Sequence, residues 1–406
     1  MTSYLWSPAR SPVDSSYLVR RVAALTFAGI APCNPRALAM LDDISQRILM
    51  DPVSRRAPQY VALAYWLRRA ALTRLAAELT SSDRPGQIRT PRGVALHLPP
   101  TNVDTIFVYS WAMSVLAGNA NIVRLPENMS VEADWLAKTI SEAVSDHGES
   151  ERHLFCYYPY GGEIEATLAG HCDLRVIWGG DEKVRAVSRH PIQPDGLSIG
   201  FPDRKSLAMI GTEIYRASDT SVRDALSEQF FNDLFWFEQM GCGSPRLLVW
   251  IGEPDGLAED FYRRLQKVIT KKSYTVETGV AIGKLALSHD LLAEGVASQH
   301  RRFGNELHVN RTTDPVSALK RPHGGGFLCD WVTPSVTDIA DFVTRQIQTI
   351  THFGVDAHDV ETLARSLISR GGYRVVPIGQ ALQFDTTWDG LDLYEHMTRK
   401  ILVRVR

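Results

Sequence analysis

Short apolar runs alternate with helical patterns from residue 93 onward, and this alternation limits the fold more than any other feature of the chain. The run 93–98 ends at two prolines, as a buried strand does when it enters a loop. A buried helix over 105–117, a strand over 120–125 and a further strand at Leu174–Trp178 follow. Strands that alternate with helices indicate a parallel sheet covered on both faces, so we predict an α/β fold.

The same pattern restarts after Lys205, which predicts a second α/β unit. SLAMIG reads as a strand, 222–236 as a helix and 246–251 as a strand. Before the first unit, residues 60–79 have apolar positions at helical spacing and predict one packing helix. The last six residues, ILVRVR, alternate with period two and predict a terminal strand.

Composition excludes several classes of protein. The 44 basic and 46 acidic residues leave a formal charge of -2, which gives no field for nucleic acid or an anionic membrane surface. No apolar stretch reaches the roughly 20 residues of a membrane span, and the first residues lack a secretion pattern, so we expect a cytoplasmic protein.

The five cysteines form no C-x-x-C pair, and the twelve histidines have no metal-ligand spacing, so no metal site is expected. HGGG at 323–326 lacks the G-x-S-x-G of hydrolases.

Cys242 is the candidate nucleophile. It stands in QMGCGSPR, between a helix and a strand, with Gly241 and Gly243 on either side. Two glycines would let the backbone bend sharply and would let a substrate approach the sulfur, while backbone amides in such a turn stabilise a thiolate. Taken alone, the residue is described better as a small buried cysteine, which is the alternative to the nucleophile.

Asn102 is a candidate oxyanion donor. In PPTNVDT it follows a strand, at the end of an α/β sheet where ligands bind, and its amide could donate to a developing negative charge. The alternative is that Asn102 caps the following helix or a turn.

Arg124 and Glu127 are candidate cofactor residues. Arg124 ends the strand of GNANIVRLPE, where nucleotide-binding sheets contact the adenosine ribose, and a cation there suits a 2′-phosphate. Glu127 suits a free ribose diol instead, so the two residues together do not decide between the two kinds of cofactor. The alternative for Arg124 is an ordinary exposed arginine after a strand. No G-x-G-x-x-G is present, so an ordinary Rossmann fingerprint is excluded.

Gly179 and Gly180, in VIWGGDEKV, lie between a strand and a helix. Free amides in this position can face a phosphate. Asp181 and Glu182 complicate that interpretation, because acidic residues also cap a helix and complement its dipole, and a short structural turn would suffice.

Six segments in this order make the chain similar to the LuxC-type acyl-CoA reductases, a branch of the aldehyde dehydrogenase superfamily. They run through most of the sequence: YWLRRAALTRL, TNVDT with GNANIVRLPE, WGGDEKV, MGCGSPR, QTITHFG and RVVPIGQALQFDTTWDGLDL. The resemblance implies an aldehyde dehydrogenase-like fold. Its expected parts are an N-terminal helical segment (1–80), a Rossmann-type parallel-sheet cofactor domain (81–203), an α/β catalytic domain (204–384) and a C-terminal tail with an oligomerisation strand (385–406).

The resemblance also implies roles for the candidate residues. Cys242 would accept the acyl group as a thioester, and Asn102 would hold the oxyanion together with the Cys242 amide. Arg124 and Glu127 would meet the adenosine ribose, and the glycine pair would approach the pyrophosphate. NADPH would be the cofactor, with some tolerance of NADH. The product would be an aldehyde.

One stretch argues against hydrolytic chemistry. Oxidising relatives carry a glutamate in E-L-G-G-K, whereas the corresponding LSIGFPDRKS has no carboxylate between Gly196 and Phe201, and Lys205 with Ser206 aligns with the end of that segment. The alternatives are an NAD(P)-dependent oxidising aldehyde dehydrogenase and a non-catalytic subunit of an acyl-protein synthetase. The expected partners are an acyl thioester of coenzyme A or a carrier protein, an acyl-protein synthetase, and further copies of the chain in a homo-oligomer.

Overall fold

The computed structural model describes residues 3–6, 10–25, 28–54, 57–81, 85–321 and 323–405. The chain divides into two compact units. Unit 1 comprises Met1–Pro202 and Phe384–Arg406, and unit 2 comprises Asp203–Gln383. Within the described ranges, no helix is both long and apolar enough to cross a membrane.

The first part of unit 1 begins with two strands and four helices and alternates strands with helices from Val94 onward. Its elements are β1 (Ser3–Trp6), β2 (Arg10–Val13), α1 (Ser15–Ala23), α2 (Pro35–Met50), α3 (Pro58–Leu67), α4 (Arg69–Ser81), β3 (Gln87–Pro91), β4 (Val94–Leu98), α5 (Ile106–Leu116), β5 (Ala120–Arg124), α6 (Val131–Asp146), β6 (His153–Tyr157), α7 (Glu163–Gly170), β7 (Leu174–Trp178), α8 (Asp181–Ser188) and β8 (Leu197–Phe201).

Seven of these strands form one sheet in the order β2-β1-β6-β5-β4-β7-β8. The five strands from β6 to β8 are parallel, and β1 and β2 add antiparallel edges. All residues of β4, β5, β6 and β7 are buried, as is the whole of α5, because this part of the sheet is covered on both faces. The predicted parallel α/β architecture is therefore confirmed.

Unit 2 has a second sheet of the same kind. Its elements are β9 (Lys205–Gly211), α9 (Thr212–Ala217), α10 (Thr220–Phe235), β10 (Pro245–Ile251), α11 (Leu257–Lys271), α12 (Thr278–Ala293), β11 (Ala297–Phe303), β12 (Leu307–Thr312), α13 (Pro315–Leu319), β13 (Phe327–Thr333), α14 (Asp338–Phe342), β14 (Ile347–Phe353), α15 (Ala357–Ser366) and β15 (Arg374–Pro377). The strand order is β11-β12-β13-β10-β9-β14-β15, parallel except for β11. Apolar clusters cover both faces.

The chain then returns to unit 1. Its last elements are β16 (Thr387–Trp388), β17 (Leu391–Asp392), α16 (Leu393–Met397) and β18 (Thr398–Leu402). β18 pairs antiparallel with β3, from Thr398 opposite Pro91 to Leu402 opposite Gln87. A terminal strand therefore exists, but the predicted bounds 401–406 are wrong. It begins earlier because Arg89 of β3 donates a 2.8 Å hydrogen bond to the Thr398 hydroxyl and fixes the register there.

The single packing helix predicted over 60–79 is also wrong. The helix breaks at Arg68, which has an extended backbone conformation between α3 and α4. A side chain from another helix explains the break, because Asp42 of α2 accepts a 2.7 Å hydrogen bond from the amide of Arg69 and caps the start of α4. Local sequence carries no signal for such a distant cap.

Candidate functional site

The loops after β4 and β7 lie at the topological switch point of the unit 1 sheet. From β4 the chain builds β5 and β6 on one side, and then crosses to place β7 and β8 on the other. Ligands of open α/β sheets bind in the crevice beyond the carboxyl ends of the strands at such a point. Asn102 follows β4, and Gly179 with Gly180 follows β7, so two of the candidate groups belong to the two loops that border this crevice.

Asn102 is exposed in the loop between β4 and α5. The helix begins three residues later, with Thr105 at the N-cap position and the amide of Ile106 bonded to the carbonyl of Val103. Asn102 therefore does not occupy the N-cap of α5, and a structural role in the turn between β4 and α5 stays as the alternative to the oxyanion role.

Arg124 ends β5 and is almost fully buried, with 4% exposure, in contrast to the ordinary exposed arginine considered from the sequence. Its Nε donates a 3.0 Å hydrogen bond to the Tyr158 carbonyl, and the ring centre of Tyr160 lies 3.4 Å from its guanidinium carbon. No other hydrogen bond or ion pair joins this guanidinium to the described residues. One face of the cation is thus covered by an aromatic ring, while its terminal nitrogens retain donor capacity.

Glu127 is exposed just beyond the same strand. Its carboxylate accepts a 2.7 Å hydrogen bond from the hydroxyl of Tyr157 in β6, and its carbonyl accepts one from Arg10 in β2. Side chains from two strands of the same sheet therefore hold Glu127 beside the end of β5, one through its carboxylate and one through its backbone.

Gly180 occupies the N-cap of α8, and Asp181 and Glu182 lie in the first turn of the helix. The backbone of Gly179 has a φ of 147°, in a region that only glycine enters readily, and its amide donates to the Phe201 carbonyl of β8. This turn also receives the side chain of Lys183, a residue to which the sequence reasoning gave no role. The only signal in the sequence is a lysine three residues after a glycine pair.

In unit 2, the Cys242 side chain is exposed at the amino edge of the sheet, directly before β10. Three successive residues that precede it, Phe237, Glu238 and Gln239, have left-handed backbones with φ of 54°, 53° and 60°. The chain also turns at the two glycines that flank Cys242, where the amide of Ser244 donates a 3.0 Å hydrogen bond to the Gly241 carbonyl, so the left-handed residues lie just before the predicted bend. Strain of this kind persists only where the surroundings hold it in place.

Gln239 is the residue that holds this turn. It is fully buried, and its side-chain nitrogen donates to the carbonyls of Pro245 and Phe327 at 2.9 and 2.8 Å. Its side-chain oxygen accepts from the amides of Gly326 and Phe327 at 2.9 and 3.0 Å. The last glycine of the HGGG segment, Gly326, thus supports the cysteine turn through its backbone amide, and its φ of 80° favours glycine at this position.

The two glycines beside Cys242 are required by close packing. A Cβ on Gly243 would collide with the carbonyl oxygen of Ala381, and one on Gly241 would lie 3.2 Å from the Leu382 side chain. The loop that approaches them belongs to the segment VPIGQALQF. Asp233 of α10 holds the loop by accepting hydrogen bonds from the amides of Gly379 and Ala381 at 2.7 and 3.0 Å.

Arg246 places a positive charge near the thiol. Burial lowers the pKa of its guanidinium to about 10, and a Coulombic interaction with Cys242 acts in the opposite direction. The Arg246 side chain also donates to the His323 carbonyl. A cation beside a cysteine favours its thiolate form.

The remaining cysteines have different surroundings. Cys156, Cys172 and Cys329 are buried, and burial raises the pKa of each thiol, to about 12 for Cys156 and Cys329. Cys33 is half-buried, with its sulfur 3.7 Å from the Tyr394 hydroxyl. Cys242 is therefore the exposed thiol of the chain. The described residues contain no cluster of three or more His, Cys, Asp or Glu side chains that could hold a metal ion.

A family model for acyl-CoA reductases of the LuxC type matches residues 72–279, just over half of the chain. The chain belongs to the LuxC acyl-CoA reductase family. The matched region contains all six candidate residues. Membership confirms the predicted reaction class, reduction of an acyl thioester to an aldehyde. No curated protein sequence matches significantly.

Solved structures confirm the aldehyde dehydrogenase fold of this LuxC-family chain. Methylmalonate-semialdehyde dehydrogenase from Oceanimonas doudoroffii superposes with a TM-score of 0.70 at 13% identity, over 99% of this chain and 94% of that one. The 1-pyrroline-5-carboxylate dehydrogenase of Thermus thermophilus gives 0.67 at 13%, over 97% and 86%. Indole-3-acetaldehyde dehydrogenase from P. syringae, solved with NAD+, gives 0.64 at 13%, over 96% and 90%.

Proposed function

We propose that this reductase holds its acyl group as a thioester on Cys242 and prefers NADPH as the reductant. The observation that carries the assignment of the nucleophile is the exposure of the Cys242 thiol in a turn fixed on several sides. The other four thiols are buried or half-buried. A nucleophile must be both accessible and held in place, since misplacement by about 1 Å costs roughly a hundredfold in rate.

In the first half-reaction, the Cys242 thiolate attacks the carbonyl carbon of the acyl thioester. A carbon–sulfur bond forms, and the carbonyl oxygen takes the negative charge. The Asn102 side chain and the backbone amide of Cys242 donate to this oxyanion, and the nearby Arg246 charge supports the thiolate before attack. The tetrahedral species then collapses, its bond to the departing thiolate breaks, and the acyl group remains on Cys242.

The nicotinamide cofactor supplies the hydride that reduces this acyl group. The reduced acyl group is then the oxyanion of a thiohemiacetal on Cys242, which re-forms its carbonyl bond. The carbon–sulfur bond breaks, the aldehyde leaves, and the thiolate is restored for the next cycle.

The candidate residues at the carboxyl ends of β5 and β7 in unit 1 fit a nucleotide cofactor. The Arg124 terminal nitrogens make no hydrogen bond to the described residues, which suits an anionic group such as the 2′-phosphate of NADPH. The fixed Glu127 carboxylate suits ribose hydroxyls and supports some use of NADH. Gly179 and Gly180 bring backbone to the N-terminus of α8, where a pyrophosphate is favoured. The NAD+ bound to the P. syringae relative agrees with a nicotinamide cofactor.

We infer that the acyl donor is coenzyme A or a carrier protein, with loading by an acyl-protein synthetase as a coupled step. We also propose a cytoplasmic homo-oligomer. Exposed apolar residues on the paired strands β3 and β18 support the oligomer, because Ile88 and Ile401 lie opposite each other and are 57% and 52% exposed.

The experiment that tests the nucleophile separates the half-reactions. Incubation with an acyl-CoA and no NADPH should add one acyl mass to the peptide that contains Cys242, and NADPH should then remove it and release aldehyde. Cys242→Ala should do neither while still binding NADPH, and Cys242→Ser should also fail because a hydroxyl is hardly ionised near neutral pH. The matched control is Cys33→Ala, which should behave as wild type. Acylation at another cysteine, or full activity of Cys242→Ala, would refute the assignment.

A further inference from the structure

The ammonium group of Lys183 lies at the junction of the two loops that border the switch point. Its Nζ donates to the carbonyl oxygens of Leu98 and Pro99, at 3.3 and 2.8 Å, and to that of Trp178 at 2.8 Å. Leu98 is the last residue of β4, Pro99 opens the loop that carries Asn102, and Trp178 is the last residue of β7. A single atom therefore bonds backbone from both loops.

Gly179 makes this reach possible. The Lys183 side chain folds back over the turn, and a Cβ at Gly179 would lie 2.7 Å from its Cδ and 3.5 Å from its Nζ. The Lys183 side chain can take this position only because residue 179 is a glycine. This requirement is independent of any phosphate at the turn.

The hydrogen-bond count shows what Lys183 does. An ammonium has three N–H donors, and three carbonyl oxygens take them. Lys183 consequently has no donor left over for a ligand, in contrast to Arg124. Converging carbonyls repel one another unless a cation neutralises them, and removal of that cation leaves partly buried acceptors without a partner.

We propose that Lys183 is a positioning residue that fixes the Asn102 loop relative to the Gly179–Gly180 turn. This positioning of the two loops rests on the contacts of Lys183 and not on the proposed function. The effect on catalysis rests in addition on the proposed role of Asn102 as oxyanion donor. Burial, together with the Arg124 charge, lowers the pKa of Lys183 to about 8, so the three-donor form still predominates at neutral pH.

The decisive variant is Lys183→Met, which keeps the length of the chain and removes all three donors. Hydrogen–deuterium exchange followed by mass spectrometry should speed up about tenfold in peptides that cover 99–105 and 179–184, with no change in the rest of unit 1. The matched control is Arg185→Met on the exposed side of the same helix, which should leave both peptides unchanged. Gly179→Ala should reproduce the effect, since it displaces the lysine, whereas Gly170→Ala has open space around it and should not.

A double-mutant cycle then connects the loop to the chemistry. Lys183→Met should slow acylation of Cys242 about tenfold in the wild-type background and less than twofold in the Asn102→Ala background, because it acts through Asn102. Unchanged exchange in 99–105, or faster exchange throughout unit 1 with equal rate losses in both backgrounds, would overturn the proposal. If exchange rises in the two peptides while Asn102→Ala itself acylates normally, Lys183 does position the loop and the oxyanion role of Asn102 is the part that fails.

Discussion

The hydroxyl of Ser206 donates a 2.7 Å hydrogen bond to the carbonyl oxygen of Cys242. The same hydroxyl accepts a 3.1 Å hydrogen bond from the amide of Thr349. Ser206 lies at the start of β9 and Thr349 in the first half of β14, so the amino ends of two adjacent strands anchor the backbone of the nucleophile.

Ser206→Ala should slow acylation of Cys242 by about fivefold to tenfold and lower stability by about 1 kcal/mol, because one buried hydrogen bond to the cysteine backbone is lost. Stopped-flow release of free coenzyme A measures the first effect, and urea unfolding measures the second. Ser221→Ala on the exposed start of α10 is the control. If both variants acylate at the wild-type rate, the anchor does not matter for catalysis.

Asn102→Ala should lower turnover about a hundredfold while cofactor affinity stays nearly unchanged, since loss of one oxyanion donor costs ~3 kcal/mol of transition-state stabilisation. Single-turnover rates and a fluorescence titration with NADPH separate the two quantities. Thr101→Ala, in the same exposed loop, is the control. An Asn102→Ala protein that melts earlier yet keeps its rate per folded molecule would mean a structural role.

Arg124→Leu should weaken NADPH more than NADH, because the leucine cannot pair with the 2′-phosphate. Arg124→Lys keeps the charge and should retain part of the preference. Loss of the bond to the Tyr158 carbonyl and of the stacking on Tyr160 will also lower stability, so affinities are compared between the two cofactors within each folded variant. Equal losses for NADPH and NADH would contradict the proposed ribose contact.

Asp233 should make stability depend on pH. Burial raises the pKa of its carboxyl to about 7, although the amides of Gly379 and Ala381 and the Arg374 charge act in the opposite direction. The folded protein keeps this proton up to about pH 7, whereas the unfolded chain loses it near pH 4. The protonated carboxyl therefore contributes its full stabilisation of the folded state below about pH 4, and this contribution is lost as the pH rises to about 7.

The comparison with Asp233→Asn isolates the contribution of this carboxyl to the pH dependence of stability, because asparagine does not titrate. Urea unfolding at pH 5 and pH 8 should show that the stability of wild type relative to the variant is smaller at pH 8. A difference that is the same at both values would mean that the carboxyl is already ionised at pH 5. The variant loses one of the two hydrogen bonds from the loop's backbone amides at either pH, because the side-chain nitrogen of asparagine cannot accept a hydrogen bond.

Local patterns were sufficient for the centre of each sheet. The fully buried strand Leu174–Trp178 was predicted with its correct bounds, and the loop of Asn102 follows from the two prolines that end the strand before it. β6 (HLFCY), which is equally buried, is absent from the sequence prediction, because periodicity alone does not identify so short an apolar run as a strand. The family resemblance, rather than any single residue pattern, led to the candidate site.

What the sequence could not predict depends on contacts between distant residues. The left-handed turn before Cys242 exists because Gln239 finds four backbone partners, two of them contributed by Phe327. The role of Lys183 depends on Leu98 and Pro99, which are far away along the chain. Helix and strand propensities report only on neighbouring residues, so partners of this kind remain invisible to them.

The pairing of β3 with β18 has a consequence for how the protein is made. β3 leaves the ribosome early, whereas its partner strand emerges only after the whole of unit 2. The nascent polypeptide must therefore carry β3 without this partner while the whole of unit 2 is synthesised, although the seven-stranded sheet of unit 1 contains neither strand and can form before that. The β3–β18 pair is thus a late contact of unit 1, which can form only after the strands of both seven-stranded sheets have been synthesised.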